Sequence, residues 1–307
     1  MSTVVEISAS MVKDLREKSG AAMMDCKKAL VEATGDFDKA FELLRQKGAA
    51  SASKKSSRAT SEGLVVGTVG ADGKTASLVE INCETDFVAR NDQFVALGKQ
   101  IAELVAAKKP ADVDALLALT LEGKTVKEAL TEAIAKIGEN ISIKRLAVFD
   151  LSKPNGTTGL YIHTLGGKMG AIVEIETDKA AANPAELQAL ARELAMHVVS
   201  AKPTFLTRDD ISAEIIENER RIELGKADLA DKKPEMKEKI VTGRVDKLLA
   251  ERVLSEQPFV KDPQQSVSKY LTAKGKELGV TAKVVRYALF ILGDNGDAAQ
   301  EDAEASA

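Results

Sequence analysis

The chain is 307 residues long, 44% hydrophobic and 29% charged, with Lys+Arg 43 against Asp+Glu 47 and a net charge of −4. That balance fits a globular protein with room for two or three domains, and it lacks the basic domain or stripe that nucleic-acid binding requires. No apolar run approaches the roughly 18–20 residues needed to span a bilayer, so no membrane association is expected. MSTVVEISAS has neither a basic n-region nor a long apolar h-region, so no secretory signal is expected. Cys26 and Cys83 are the only cysteines, as expected for a reducing cytoplasm, and each reads first as a small buried hydrophobe. With no Cys-x-x-Cys and only His163 and His197 besides, neither a structural metal nor a cofactor is expected. GxSxG, GxxxxGK[ST] and a helix-opening GxGxxG do not occur, so the usual catalytic vocabulary is missing.

Residues 6–48 read as three short helices. Ser8 or Ser10 caps the first, which carries Met11, Val12 and Leu15 and stops at Ser19-Gly20. The second carries Met23, Met24, Ala29, Leu30 and Ala33. Thr34-Gly35-Asp36 ends it and caps a third, with Phe37, Ala40, Phe41 and Leu44 on one face. Gly48 closes a unit spanning 1–48. Residues 49–61 (AASASKKSSRATS) have no apolar period and read as a linker, whose Lys54, Lys55 and Arg58 read as solvated.

From Gly63 the period becomes strand-like. GLVVGTV at 63–69, the turn Ala71-Asp72-Gly73-Lys74 and residues 76–82 read as a hairpin. Helices are expected over about 92–107, 112–119 and 125–137, then a strand over 141–149. The pattern recurs: GLYIHTL at 159–165 stands against GLVVGTV, and VEIETD at 173–178 against VEINCETD at 79–86. A helix follows over 184–200, and KVVRYALFIL at 283–292 stands where ISIKRLAVF stood. Two such copies imply an α+β fold with duplicated subdomains and antiparallel sheets, 62–150 and 151–292. The second copy carries a charged helical hairpin over about 212–252 and a helix over about 266–278. Residues 293–307 are acidic and aromatic-free, and disorder is expected there.

Phenylalanine is scarce (Phe 8, Trp 0), yet Phe87 sits in a turn just past the apolar strand 78–81. Aligned on Thr-Asp, the first copy continues with Phe87-Val88 and the second with Lys179-Ala180. A turn needed only by the scaffold would put similar residues in both, so Phe87 points to something outside it. Core packing of the ring remains the alternative, as it does for Met23 and Met24. Glu84, Asp86 and Asp92 have no nucleophile or base beside them, which disfavours an acid/base or cation site.

Seven strings in order carry a resemblance: VKDLREKSGAAMMDCKKAL, NCETDFVARN, AKIGENISIKRL, GLYIH, ELAMHVVSAKP, ISAEIIENE and SEQPFVKDP. From about residue 6 to 293 the chain resembles bacterial translation elongation factor Ts, a family of guanine-nucleotide exchange factors for elongation factor Tu. The region 107–130 and the helical hairpin look variable in length within that family. The resemblance implies a ubiquitin-associated-like helical module, two α+β core subdomains and a C-terminal helical module, acting without catalysis in the cytoplasm. It implies that Thr85, Asp86, Phe87 and Val88 engage the GTPase domain of the partner, with Phe87 wedged between its helices so that Mg²⁺ is dislodged and GDP leaves. It further implies that Arg16, Met23, Met24 and Lys27 contact a helix near the guanine site, and that Ile137, Gly138 and His163 contact a second partner domain. For His163 the residues alone suggest only a structural role. One-to-one and two-to-two complexes and a homodimer all stay open. Two other classes remain to be weighed: a ubiquitin-binding adaptor using the helical unit alone, and a small hydrolase using Cys83 or the carboxylates.

Overall fold

A computed structural model describes residues 7–294 apart from Ser152 and Leu165, so the expected acidic tail lies almost wholly outside the described residues. The fold is mixed helix and sheet. The chain divides into two compact units, residues up to 66 with 79–146, and 67–78 with residues from 147 onward.

Three helices open the first unit: α1 (Ala9–Ser19), α2 (Met23–Glu32) and α3 (Phe37–Lys55). Ser8 caps α1 by accepting from the Met11 N–H, and Asp36 caps α3 by accepting from that of Lys39. Val12, Leu15, Cys26, Ala29, Leu30, Ala33 and Ala40 form a small core between the helices. One boundary needs correcting. Gly48 does not close this unit, because α3 runs through it to Lys55 and takes in the first part of the expected linker. Ala49 to Lys55 contains no helix breaker, and alanine is the strongest helix former. Packing adds to propensity: Ala52 is buried, and a Cβ built on Gly48 would stand 3.1 Å from that of Ala135 on a later helix.

The hairpin of β1 (Glu62–Val69) and β2 (Thr75–Cys83) follows, closed by Gly73 at φ 67. Next come α4 (Asp86–Ala89), α5 (Asp92–Lys108), α6 (Val113–Ala118), the short β3 (Thr120–Leu121) and β4 (Lys124–Thr125), α7 (Val126–Ile137) and β5 (Ile141–Asp150). Phe87 therefore stands on a single helical turn, α4, rather than in an irregular loop. The β3–β4 hairpin gave no sequence signal, being two residues per strand. The sheet order is β1-β2-β5.

In the second unit, β6 (Gly156–Ile162) and β7 (Met169–Thr177) precede α8 (Pro184–Ala201). The charged hairpin comprises α9 (Ala213–Leu224) and α10 (Pro234–Arg252), with a core of its own around Leu229, Val241, Val245 and Leu249. A small hairpin of β8 (Pro258–Phe259) and β9 (Asp262–Ser266), then α11 (Val267–Glu277) and β10 (Ala282–Ile291), complete the described chain. The antiparallel sheet has order β10-β7-β6. No helix among the described residues is long and apolar enough to cross a membrane.

The two sheets share a set of interactions that fixes their correspondence. Glu80 on β2 is buried and takes the Arg145 Nε–H at 2.8 Å; Glu174 on β7 is buried and takes the Arg286 Nε–H at 2.6 Å. Four residues after each buried glutamate, an acid accepts the backbone N–H just before the returning strand: Glu84 from Asn140 at 2.6 Å, Asp178 from Thr281 at 2.7 Å. Gly63 and Gly156 hold matching places, with φ 148 and 144, each pressed against the carbonyl of the neighbouring strand (Ile81 and Ile175). These interactions correct two alignments read from the letters. GLVVGTV matches the strand that begins at Gly156, not Gly159, and Thr177-Asp178 stands in the place of Cys83-Glu84, not Thr85-Asp86. Asn91 and Asn183 cap the following helices in both, so the first sheet has two extra residues between its acid and its helix. The added length makes room for α4, the four residues Asp86–Ala89.

Removing one partner of a buried ion pair leaves a charge without compensation, whereas replacing both with apolar groups does not. Arg145→Met should therefore destabilise the fold by about 3 kcal/mol in urea unfolding, and Glu80→Leu added to it should recover most of that loss.

His197 is buried on α8, and its Nδ1 accepts the Val260 N–H at 3.2 Å while Nε2 faces Gln257 Oε1 at 3.0 Å. Gln257 donates its own amide to the Ala201 and Glu251 carbonyls, so its oxygen is the acceptor and the ring is held neutral. Burial lowers the His197 pKa, partly opposed by Gln257. A histidine kept neutral by folding stabilises fully above its unfolded pKa of about 6.5, and that stability is lost as pH falls through about 6.5 toward the folded value. Unfolding free energy should drop between about pH 7.5 and about pH 5.5, and drop less in His197→Gln.

Candidate functional site

The site is built where three chain segments meet in the first unit: the end of α3, the segment after β2, and the turn from α7 into β5. Thr85 is the N-cap of α4, accepting from the Val88 N–H at 3.4 Å. Its own N–H donates to Glu139 Oε2 at 3.0 Å, and its hydroxyl donates to Glu139 Oε1 at 2.7 Å. Reciprocally, Glu84 takes the Asn140 N–H. Asn140 in turn donates its side-chain amide to the Arg58 carbonyl at 2.9 Å, and Arg58 reaches Glu84 at 3.4 Å. Two adjacent residues of one segment are thus cross-linked through carboxylates to two adjacent residues of the other.

On this base, Ala89 is buried, Val88 is half-buried and Asp86 pairs with Arg90 at 2.9 Å along the turn. Phe87 points away, 80% exposed. That exposure removes the core-packing alternative.

The backbone N–H of Asn140 holds the Glu84 carboxyl below the usual carboxylate range, against a smaller opposing effect of burial and with help from Arg58. Cys83 is buried, and burial followed by the Glu139 charge pushes its thiol up to about 12. Its hydrogen donates to the Thr85 carbonyl at 3.2 Å. A buried thiol with that pKa is no nucleophile, so the hydrolase reading loses its best residue. What this arrangement does is present a ring.

Ile137, half-buried, is the last residue of α7, and Gly138 caps the helix at φ 91 with its N–H on the Ile134 carbonyl at 3.0 Å. Both are therefore next to Glu139 and the α4 base. Arg16 is exposed in the last turn of α1. Met23 and Met24 open α2, and both are exposed (53% and 62%), so neither serves the core. With Lys27, Lys28, Val31 and Glu32, Met24 lines a shallow depression of about 300 Å³ on the outer face of α2. The stem of Lys136 lies beside Gly20, which sets the end of α1 near the end of α7. His163 belongs to the second unit. It follows β6, donates its backbone N–H to the Met169 carbonyl at 2.9 Å and meets Tyr161 edge-on at 6.5 Å.

Sequence reasoning missed Glu84, Glu139 and Asn140 as supports, and missed Val31, 58% exposed, on the α2 face. The only signal for Glu139 and Asn140 was their place in AKIGENISIKRL, which carries no information about what they touch.

The family model described as elongation factor TS matches residues 84–294. The chain is similar to proteins named elongation factor Ts from Syntrophotalea carbinolica (44% identical, covering 97% of each chain), Azoarcus sp. (47%, covering 95% of this chain and 92% of the relative) and Burkholderia thailandensis (47%, covering 96% and 94%).

Gly138 sits where only glycine and asparagine are at ease, yet an added Cβ there would meet nothing within 4 Å. Gly138→Ala should cost about 1 kcal/mol through backbone strain alone, and Gly138→Asn less, by urea unfolding.

Proposed function

The chain belongs to the elongation factor Ts family of translation elongation factors, and on that premise we propose that it promotes release of GDP from elongation factor Tu in the cytoplasm. The observation that carries the proposal is Phe87, a large apolar ring held outward on a turn whose first residue, Thr85, is bound twice by Glu139. An exposed phenylalanine in isolation is ordinary; one on a braced base, present in the first sheet and missing from the corresponding place in the second, is suited to insertion.

A GTPase holds GDP by backbone donors and a lysine on the phosphates and by a coordinated Mg²⁺, so release is slow because those contacts must be lost together. Octahedral Mg²⁺ tolerates little displacement of its ligands. Burying the Phe87 ring between partner helices recovers about 1.5–3 kcal/mol, and that energy is available only once those helices have moved. Thr85 and Val88 flank the ring and Asp86 holds the approach. The factor then prefers the nucleotide-free partner, and by linkage it weakens nucleotide binding by the same ratio. GTP rebinding restores the partner and displaces the factor. No bond is made or broken, so the chain is a binding protein rather than an enzyme and needs no cofactor.

Arg16, Met23, Met24 and Lys27 would make a second contact, pairing exposed apolar surface with positive charge, and Ile137, Gly138 and His163 a third. The same reading treats the two sheets as copies of one scaffold, of which the first acquired the wedge.

Fluorescent GDP bound to elongation factor Tu should dissociate faster when the intact chain is added. Phe87→Ala should cut that stimulation by about tenfold or more while leaving the unfolding midpoint unchanged, since the ring is exposed. Release at the unassisted rate in the presence of intact chain contradicts the function.

A further inference from the structure

We propose that Glu139 is a positioning residue for the exchange reaction, acting through Thr85 to hold the orientation of Phe87; the inference rests on the exchange reading given above.

A four-residue helix cannot maintain itself, because nucleating the first turn costs more than its few hydrogen bonds return. Something outside α4 must hold it. Glu139 supplies that support with both carboxylate oxygens, one on the Thr85 N–H and one on the Thr85 hydroxyl. Two bonds to two atoms of one residue fix its rotation as well as its place. The same hydroxyl oxygen accepts the Val88 N–H, so the chain Glu139–Thr85–Val88 spans Phe87 from one side to the other. The ring's direction therefore depends on a carboxylate from a distant part of the sequence.

The second sheet supplies an internal comparison. It keeps the other half of the cross-link, Asp178 on the Thr281 N–H, in the place of Glu84 on that of Asn140. At the positions of Thr85 and Glu139 it has Lys179 and Val280, which cannot form the pair. Residues 179–182 are not helical there. The Glu84-type bond is thus common to both sheets and serves the strand ends, whereas the Glu139 carboxylate occurs only where there is a turn to brace and a ring to aim.

A loosened turn would have to be ordered again at each encounter with the partner, which lowers the yield from burying the ring. The test is release of fluorescent GDP from elongation factor Tu by the full chain, read for Glu139→Ala, Phe87→Ala and the double variant, with amide exchange followed on the free proteins. Glu139→Ala should slow assisted release by about tenfold and add nothing further in the Phe87→Ala background. Amide protection should fall over 85–90 and stay unchanged in β2 and α5. Thr85→Ser, which keeps the hydroxyl, should retain activity, and Thr85→Val should lose part of it. Should Glu139→Ala not fold, Glu139→Gln keeps the shape with one strong acceptor fewer and should show a smaller loss of the same kind.

Wild-type release by both Glu139 variants beside a defective Phe87→Ala overturns the positioning role and leaves the wedge standing. Equal losses from Glu139→Ala with and without Phe87 overturn it too, because the residue then acts on the fold at large. Full activity in Phe87→Ala sinks the wedge, and the positioning role with it, but leaves exchange standing, whereas release at the unassisted rate with the intact chain sinks the exchange reading itself.

Discussion

A carboxylate that accepts a backbone N–H does two things at once: it satisfies a donor that the fold has left over and it joins segments that sequence keeps apart. In this chain that bond recurs wherever a β2- or β7-type strand ends, Glu84 on Asn140 and Asp178 on Thr281. Both acids are held below their usual pKa, by the backbone donor before any other influence. Charged acceptors give hydrogen bonds roughly twice as strong as neutral ones. The strand that carries the acid and the strand that returns beside it are therefore locked at their ends as well as through the buried Glu80–Arg145 and Glu174–Arg286 pairs. Everything projecting from those ends inherits that rigidity.

What differs between the sheets is small and local. Two extra residues, one threonine and one glutamate turn a plain connection into a braced helical turn with a phenylalanine on its outer side. The packing around it is also solved differently. At the first sheet α5 brings Gly98 against Val66 and Ile81, whereas at the second Gly159 on the strand meets the backbone of α8 at Ala191. The glycine that permits close approach has changed from helix to strand, so equivalent layers are built without equivalent letters.

That exchange explains why the sequence was legible in its elements and misleading in its register. Helices with strong periods and caps, such as α1, α5, α7 and α8, and the apolar strands β2 and β7 could be read from spacing alone. Gly63 and Gly159 look equivalent because the letters around them agree, yet the packing pairs Gly63 with Gly156. Gly48 looked like a stop because glycine disfavours helix, but packing against Ala135 outweighs a propensity cost of about 1 kcal/mol. Phe87 could be singled out from its scarcity and its place after a strand. Glu139 could not, because a glutamate in a helix-to-strand turn is ordinary until its partner is known, and that partner lies 54 residues earlier.

A ring held on a braced turn should bind a GTPase better once its nucleotide has gone, and that preference is the energetic centre of the proposed exchange function. Calorimetry of the intact chain against nucleotide-free and GDP-loaded elongation factor Tu measures it directly. Binding to the nucleotide-free form should be tighter, by the same ratio as the chain weakens GDP, with most of the ratio lost when Phe87 is alanine. Equal affinity for the two forms would contradict it.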